Sequence, residues 1–276
     1  MFIRPKITIV TVCYNAAPLL EKTIESVLSQ RYPHIEYLII DGNSTDNTKK
    51  IVEKYQKKID LFISEPDKGI YDAMNKGIRL AKGEYINFMN AGDFFYDKDT
   101  LLNAIKKAPP QAAMIVGDVQ VLNGTYSEIH QVEDLNTDWR GLKFCHQSLL
   151  LKTELAKKQL FSGKYVTSDF EQVYEIIQKH KKINPTTPFP IFYTQEVMAV
   201  FRNDGFNTKH KIRVRWESFR IVSRHDKRLQ TKFAFAKLII WTYCVEGLRK
   251  ILPSTAFEKL FRLKQGFLPD KRKKII

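Results

Sequence analysis

"KITIVTV" (residues 6–12), "PLLEKTIESVLSQ" (18–30) and "IEYLIID" (35–41) together decide the fold class. The first and third are rich in β-branched and aliphatic residues, the pattern of strands buried on both faces. The middle stretch carries apolar residues at helical spacing, with Pro18 near its first turn, where a missing N–H costs little. Strand, helix, strand in that order implies parallel strands joined by right-handed crossovers. The alternation continues outward. "KKIVEKYQKK" has helical spacing, "LFIS" (61–64) reads as a third strand, "IYDAMNKGIRLAKG" (70–83) as a helix closed by glycine, and "EYINFMN" (84–90) as a fourth strand.

After Asp93 the order becomes mixed. The spacing predicts a helix near 98–107, a strand over 112–119 and an extended pair through "TYSEIHQV". It predicts further a strand "FCHQSLLLK" (144–152), a helix over 167–180 capped by Thr167 or Ser168, and a last strand "EVMAVFR" (196–202). There are no internal repeats and no low-complexity linkers. The expected architecture is α/β: a doubly wound mixed sheet flanked by helices over residues 1–205, then a basic helical extension over 206–276.

Bulk composition narrows the class. A chain of 276 residues with 43% hydrophobic and 27% charged side chains is not disordered as a whole. Cys13, Cys145 and Cys244 are widely spaced and odd in number, which gives no disulfide framework and suits a reducing cytosol. "MFIRPKITIV" runs straight into a strand, so no secretory leader is expected. Charge is uneven: residues 1–200 hold 25 Lys+Arg against 24 Asp+Glu, and residues 201–276 hold 20 against 6. The body is balanced. The tail seeks anions.

Ligands of open α/β sheets bind beyond the carboxyl ends of the strands. That rule gathers Thr11, Tyr14 and Asn15 after strand one, Asp41 at the end of strand two, Glu65 and Asp67 after strand three, and Asp93 after strand four. Such a set suits a polar ligand, with or without a cation. Lys68 and Gly69 precede a helix whose free amides and dipole favour an anion. Asp72 and Asn75, three apart, can face one crevice; Asp67 and Asp72 equally suit stabilising the positive end of that helix. Asp41 also reads as the start of a "DGNST" turn and Tyr14 as ordinary packing. Asp46 and Asp97 read only as caps.

"TIVTVCYNAAPLLEKTIESVLSQ", "YLIIDGNSTDNT", "EPDKGIYDAMNKGIRLAKGEYINFMNAGD" and "HQS…SDFE", spread over residues 6–180, together resemble a family 2 glycosyltransferase. The "DKGIYDAMNKGI" form resembles bacterial enzymes that build surface polysaccharides. The resemblance implies a GT-A fold, a nucleotide-sugar donor and inversion at the anomeric carbon. It implies donor contacts from Tyr14, Asn15 and Asp41 for the nucleoside, and from the segment with Lys68, Gly69, Asp72 and Asn75 around nucleoside and sugar. It makes Asp169 of "SDF" the base, with Glu171 as the alternative, although the family's preceding Glu is absent. "NAGDFF" stands where the family commonly has paired acids; Ala91 and Gly92 replace the first, Gly92 frees space beside the diphosphate, and Asp93 is left as the metal ligand. His146 matches a histidine near the diphosphate or metal, though a lone His also reads as structural. The implied cofactor is Mg2+ or Mn2+.

The tail "NTKHKIRVRWESFRIVSRHDKRLQTK" (207–232) leads into the apolar "FAFAKLIIWTYCVEGLRKIL" (233–252), interrupted by Lys237 and Glu246. Those charges argue against a membrane-spanning helix. A helix lying in an anionic membrane interface and a helical pair packed on the body both fit. No nucleic-acid recognition motif is present. The expected activity is a metal-dependent, hexosyl-type inverting transfer from a nucleotide-sugar to a hydroxyl of a glycan or lipid-linked glycan, in the cytoplasm at the inner face of the membrane. Two other readings are a non-catalytic nucleotide-sugar-binding module and a nucleotidyltransferase. The second needs a glycine-rich basic loop after strand one, which "CYNAAPLLEKT" lacks.

Overall fold

Strand β1 (Ile7–Cys13) runs parallel between β2 (Ile35–Asp41) and β4 (Tyr85–Phe88), and β3 (Leu61–Ser64) extends the parallel set beyond β2. The structure is a computed structural model that describes residues 4–123, 126–132, 145–202, 210–251 and 272–274. Helices α1 (Ala17–Leu28), α2 (Thr48–Tyr55) and α3 (Ile70–Leu80) make the crossovers. Past β4 the sheet becomes mixed. β8 (Leu149–Lys152), followed by the short helix α5 (Thr153–Lys158), lies antiparallel between β4 and β6 (Met114–Asn123), and β7 (Tyr126–His130) pairs antiparallel with β6. β9 (Ile191–Arg202) runs parallel to β6 and antiparallel to the short β5 (Phe94–Phe95). A short β10 (Arg272–Lys274) pairs antiparallel with β7.

The central strand is apolar on both faces because each face meets helices. Ile7, Ile9 and Cys13 pack with Leu20, Ile24 and Val27 of α1 and with Leu101 and Ile105 of α4 (Thr100–Lys107). Val10 and Val12 pack with Met74 and Ile78 of α3 and with Val173 and Ile177 of α6 (Ser168–Ile183). Ile221 and Val222 of α7 (Lys211–Val222) and Phe235 of α8 (Leu229–Ile251) belong to the same cluster. One face of the C-terminal helical pair is thus part of the body's core. Among the described residues no helix is long and apolar enough to cross a membrane.

Three local expectations change. His146 and Gln147 lie in a 3-10 turn (His146–Ser148) that precedes β8, not in the strand itself. The last strand begins at Ile191, not Glu196. Helix α6 starts without a side-chain cap from Thr167 or Ser168; instead Glu217 of α7 accepts the backbone N–H groups of Val166 (2.8 Å) and Thr167 (3.3 Å). Trp139, Arg140 and Lys143, which the sequence places in a loop just before His146 as candidate acceptor or phosphate contacts, lie outside the described residues.

Gly77 lets α3 lie directly on β1: a Cβ there would sit 2.5 Å from Val10 Cγ1. Overpacking a filled core costs about 1–3 kcal/mol. Gly77→Ala is therefore expected to lower stability by that amount in denaturant unfolding, and an unchanged midpoint would contradict the contact.

Candidate active site

The carboxyl ends of β1, β2 and β3 are tied together by a buried carboxylate. Asp41 is fully buried; it accepts from Ser44 N (2.9 Å), from the Ser44 hydroxyl and from Ser64 Oγ (2.6 Å). Ser44 Oγ in turn accepts Asn15 N at 2.8 Å, and Asn15 Oδ1 accepts Thr45 N at 2.9 Å. Asn15 holds a left-handed backbone, φ 47°, which asparagine tolerates better than most side chains. Thr11 is also fully buried, donating to Met89 O (2.8 Å) and pairing with Tyr37 Oη, so it braces the crevice from beneath.

Above this floor the exposed groups collect. Tyr14 is 65% exposed at the end of β1. Its ring and the Asp67 carboxylate flank Gly42 so closely that a Cβ on Gly42 would lie 3.3 Å from Tyr14 Cδ2 and 2.5 Å from Asp67 Oδ2. The start of α3 is bracketed by two carboxylates: Asp67 accepts Gly69 N (2.8 Å) and Asp72 accepts Lys68 N (3.1 Å). Gly69, with φ 111°, has open space where a Cβ would be. Asn75 faces elsewhere. Its amide makes two bonds with the Phe161 backbone, both 2.9 Å, and so fixes the loop before α6.

Asp93 and Asp169 approach the same ground from the β4 side. Asp93 is 7% exposed, and its Oδ2 accepts Gln147 Nε2 at 2.8 Å. Gly92 beside it has φ 104° and passes close to Leu19 and Arg202. Asp169, in the first turn of α6, takes His146 Nδ1 at 3.2 Å; the Tyr71 hydroxyl donates to Val166 O at 2.5 Å and lies 3.4 Å from the Asp169 carboxylate. His146 Nε2 lies 3.1 Å from Asn90 Nδ2. Nδ1, on the other side of the ring, donates to the Asp169 carboxylate. Burial raises the Asp169 pKa, but the hydrogen bond and charge of His146, with helix-start N–H groups, outweigh it and hold the carboxyl below its usual range. Burial first, then the Asp169 and Asp93 charges, push the neighbouring Cys145 thiol up to about 12, which removes it as a nucleophile at neutral pH. Glu171, by contrast, is buried against Arg224 (2.6 Å) and the Ser162 hydroxyl as part of the packing.

Among the described residues, no three His, Cys, Asp or Glu side chains converge on a metal position. One carboxylate with phosphate oxygens and water suffices for magnesium, however. The buried Asn90 Oδ1 has no hydrogen-bond partner, and an amide oxygen is a donor that hard cations accept. Asp93 and Asn90 therefore fit a cation that takes most of its ligands from a bound diphosphate. For His146 to join them it must release Asn90. Two clefts, about 380 Å³ and about 480 Å³, open against α6 and α7.

Tyr71, Asn90 and Glu217 were not foreseen as site or supporting residues. Tyr71 and Asn90 sit inside motifs already singled out, "GIYDAMN" and "MNAGD", and their neighbours were the signal; Glu217 gave none.

Parallel strands β1–β4 ending in polar groups, continued by a mixed sheet and flanked by helices, make this a GT-A fold. The family model for glycosyl transferase family 2 matches residues 8–208, and the chain belongs to that family. TuaG of Bacillus subtilis, a candidate teichuronic acid biosynthesis glycosyltransferase, is 37% identical over 93 residues, 33% of this chain and 37% of TuaG. A PGL/p-HBAD biosynthesis glycosyltransferase of Mycobacterium tuberculosis is 28% identical over 160 residues, 57% of this chain and 59% of that protein. The matched stretch is thus less than two thirds of either relative. Among solved structures, the mannosyltransferase PcManGT of Pyrobaculum calidifontis, in complex with GDP-Man and Mn2+, superposes with TM-score 0.65 at 20% identity, over 97% of this chain and 82% of that one. TarS of S. aureus in complex with UDP gives TM-score 0.59 at 18% identity, over 80% and 65%. At these identities the likeness is one of fold.

Because the folded-state pKa of Asp169 is depressed below the ordinary 3.8, its ionised form stabilises the fold above that pH, and the contribution is lost as pH falls through the folded value. Wild type and Asp169→Asn should accordingly differ in stability at neutral pH, begin to approach each other as pH falls past about 3.8, and converge only below the folded value, as followed by unfolding at several pH values. A difference that persists unchanged in acid would remove the ionised pair with His146.

Proposed function

We propose that this glycosyltransferase performs an inverting, hexosyl-type transfer from a nucleoside diphosphate-sugar to a hydroxyl of a glycan acceptor in bacterial surface polysaccharide or glycolipid synthesis. The observation that carries the reading is Asp169: a carboxylate kept ionised by His146 and the helix-start N–H groups, beside the polar strand ends. An ionised carboxylate there can take the acceptor hydroxyl's proton as its oxygen attacks the anomeric carbon in line with the departing diphosphate. His146 acts as a positioning residue, since its ring proton orients the Asp169 lone pairs.

On the donor side, the exposed Tyr14 ring offers a stacking surface for the base, with Asn15 and the Asp41 cluster setting the loop beneath it. The Lys68 charge and the open space at Gly69 suit the diphosphate, while Asp67 and Asp72 occupy the Gly69 and Lys68 amides and hold that turn in place. Thr11 and Asn75 contribute shape from below, and Gly92 keeps the floor low. Asp93, with Asn90 alongside and His146 as the further candidate, would hold Mg2+ or Mn2+. When bound, the ion offsets charge on the leaving diphosphate. The relatives' names support a polysaccharide or glycolipid setting. We further infer a catalytic unit over residues 1–205, a basic region over 206–276, a lipid-linked acceptor, and a cytoplasmic enzyme peripheral to the membrane.

A panel of nucleotide-sugars, assayed for binding and hydrolysis with and without Mn2+, tests the class; no response to any donor would sink it. Asp169→Asn should cut turnover by about 10²–10⁴-fold with donor affinity retained, and unchanged turnover would remove Asp169 as the base. Metal should bind weakly to the free protein and tightly only with nucleotide present, and Asp93→Asn should weaken that ternary binding. Tight binding of Mn2+ without nucleotide would contradict the shared-ligand picture.

A further inference from the structure

Helix α8 is apolar on two opposite faces, and only one is covered. Phe235, Ile239, Thr231 and Thr242 are buried against the body. On the far side Leu229 (65% exposed), Phe233 (65%), Ile240 (63%), Tyr243 (52%) and Ile251 (80%) stand in solvent. With Ala236 and Gly247 between them, these positions recur every three or four residues, so at 3.6 residues per turn they form one stripe along the helix. An ordinary surface helix has one apolar stripe. A second needs its own explanation.

The charges bordering the stripe say what covers it. By the same helical spacing, Lys232 and Lys250 flank it on one side and Lys237 on the other, and none of the three has an ion-pair partner among the described residues. The helix's one acidic residue, Glu246, is turned toward the body and pairs with Lys211 at 3.3 Å and with Arg249. Trp241, 45% exposed, lies beside the stripe on the Lys237 side, where an amphipathic ring suits a polar–apolar boundary. A second copy packed stripe to stripe would crowd these lysines against each other. An anionic lipid surface would pair with them while taking up the apolar side chains.

We propose that the outer face of α8 is a docking surface for an anionic lipid bilayer, with Phe233 and Ile240 inserted and Lys232, Lys237 and Lys250 on the headgroups. This rests on the peripheral-membrane part of the proposed function and supplies its contact residues. The test is flotation of the full chain with phosphatidylcholine vesicles, with and without phosphatidylglycerol. The protein should float with vesicles containing phosphatidylglycerol and should release as salt is raised. Phe233→Glu with Ile240→Glu should lower the bound fraction by roughly tenfold or more with the melting temperature unchanged, because both side chains are solvent-facing. Reversing Lys232, Lys237 and Lys250 to Glu should abolish the preference for phosphatidylglycerol.

Absence of flotation, retention of binding by the Phe233/Ile240 variant, or equal binding without phosphatidylglycerol would each overturn the proposal. So would a dimer in light scattering that the same two substitutions dissolve, since the stripe would then be a contact between copies. Donor hydrolysis in solution separates this from the catalytic reading. A protein that hydrolyses donor but ignores vesicles refutes only the docking surface, and one that binds vesicles but no donor refutes only the catalysis.

Discussion

A carboxylate withdrawn from water must recover its lost hydration through hydrogen bonds, and Asp41 does so at the meeting point of three strands. Its partners come from the loop after β2 and from the end of β3, and Ser44 passes the connection on to the backbone of Asn15 after β1. Removing one member leaves a buried charge short of a donor, so the loops have little freedom to separate. Tyr14, Gly42 and Asp67 are displayed on that clamp. The exposed chemistry of the crevice is therefore set by a group that never touches solvent.

The opposite wall is assembled differently. Asp169 sits where α6, the turn before β8 and α3 meet, and its neighbours His146 and Tyr71 are far from it in sequence. Helix α7 adds Glu217, whose carboxylate accepts the backbone groups just before α6 and is itself paired with Arg213 at 2.8 Å. The strand-end wall is held by partners local to the strand ends. The wall bearing Asp169 is rigid because it is cross-braced.

Strands β1 to β4 were legible because parallel strands covered on both faces leave continuous aliphatic runs, and because the ligand-facing ends of such strands collect polar residues. Burial was not. A threonine or aspartate at a strand end reads the same whether it reaches solvent, as Tyr14 does, or turns under the sheet, as Thr11 and Asp41 do. "HQS" joins "LLLK" without any break in pattern, so the sequence does not distinguish the turn that aims His146 from the strand after it. Asn75 has helical spacing with Asp72, yet its amide is drawn to Phe161 by a loop that local pattern does not reveal. Glu217 looks like one acid answering Arg213 four residues earlier in a basic helix, and its more consequential partners are about fifty residues away.

The helices that follow β9 share the Val10 cluster and brace the start of α6, and the outermost of them carries a second apolar face. A plane that captures that face would fix the orientation of the body, because α8 packs directly on the core through Phe235. The Asp169 wall would then stand at a set height above the plane. An acceptor confined to the same plane would reach it by lateral diffusion, turning a search through volume into a search over area.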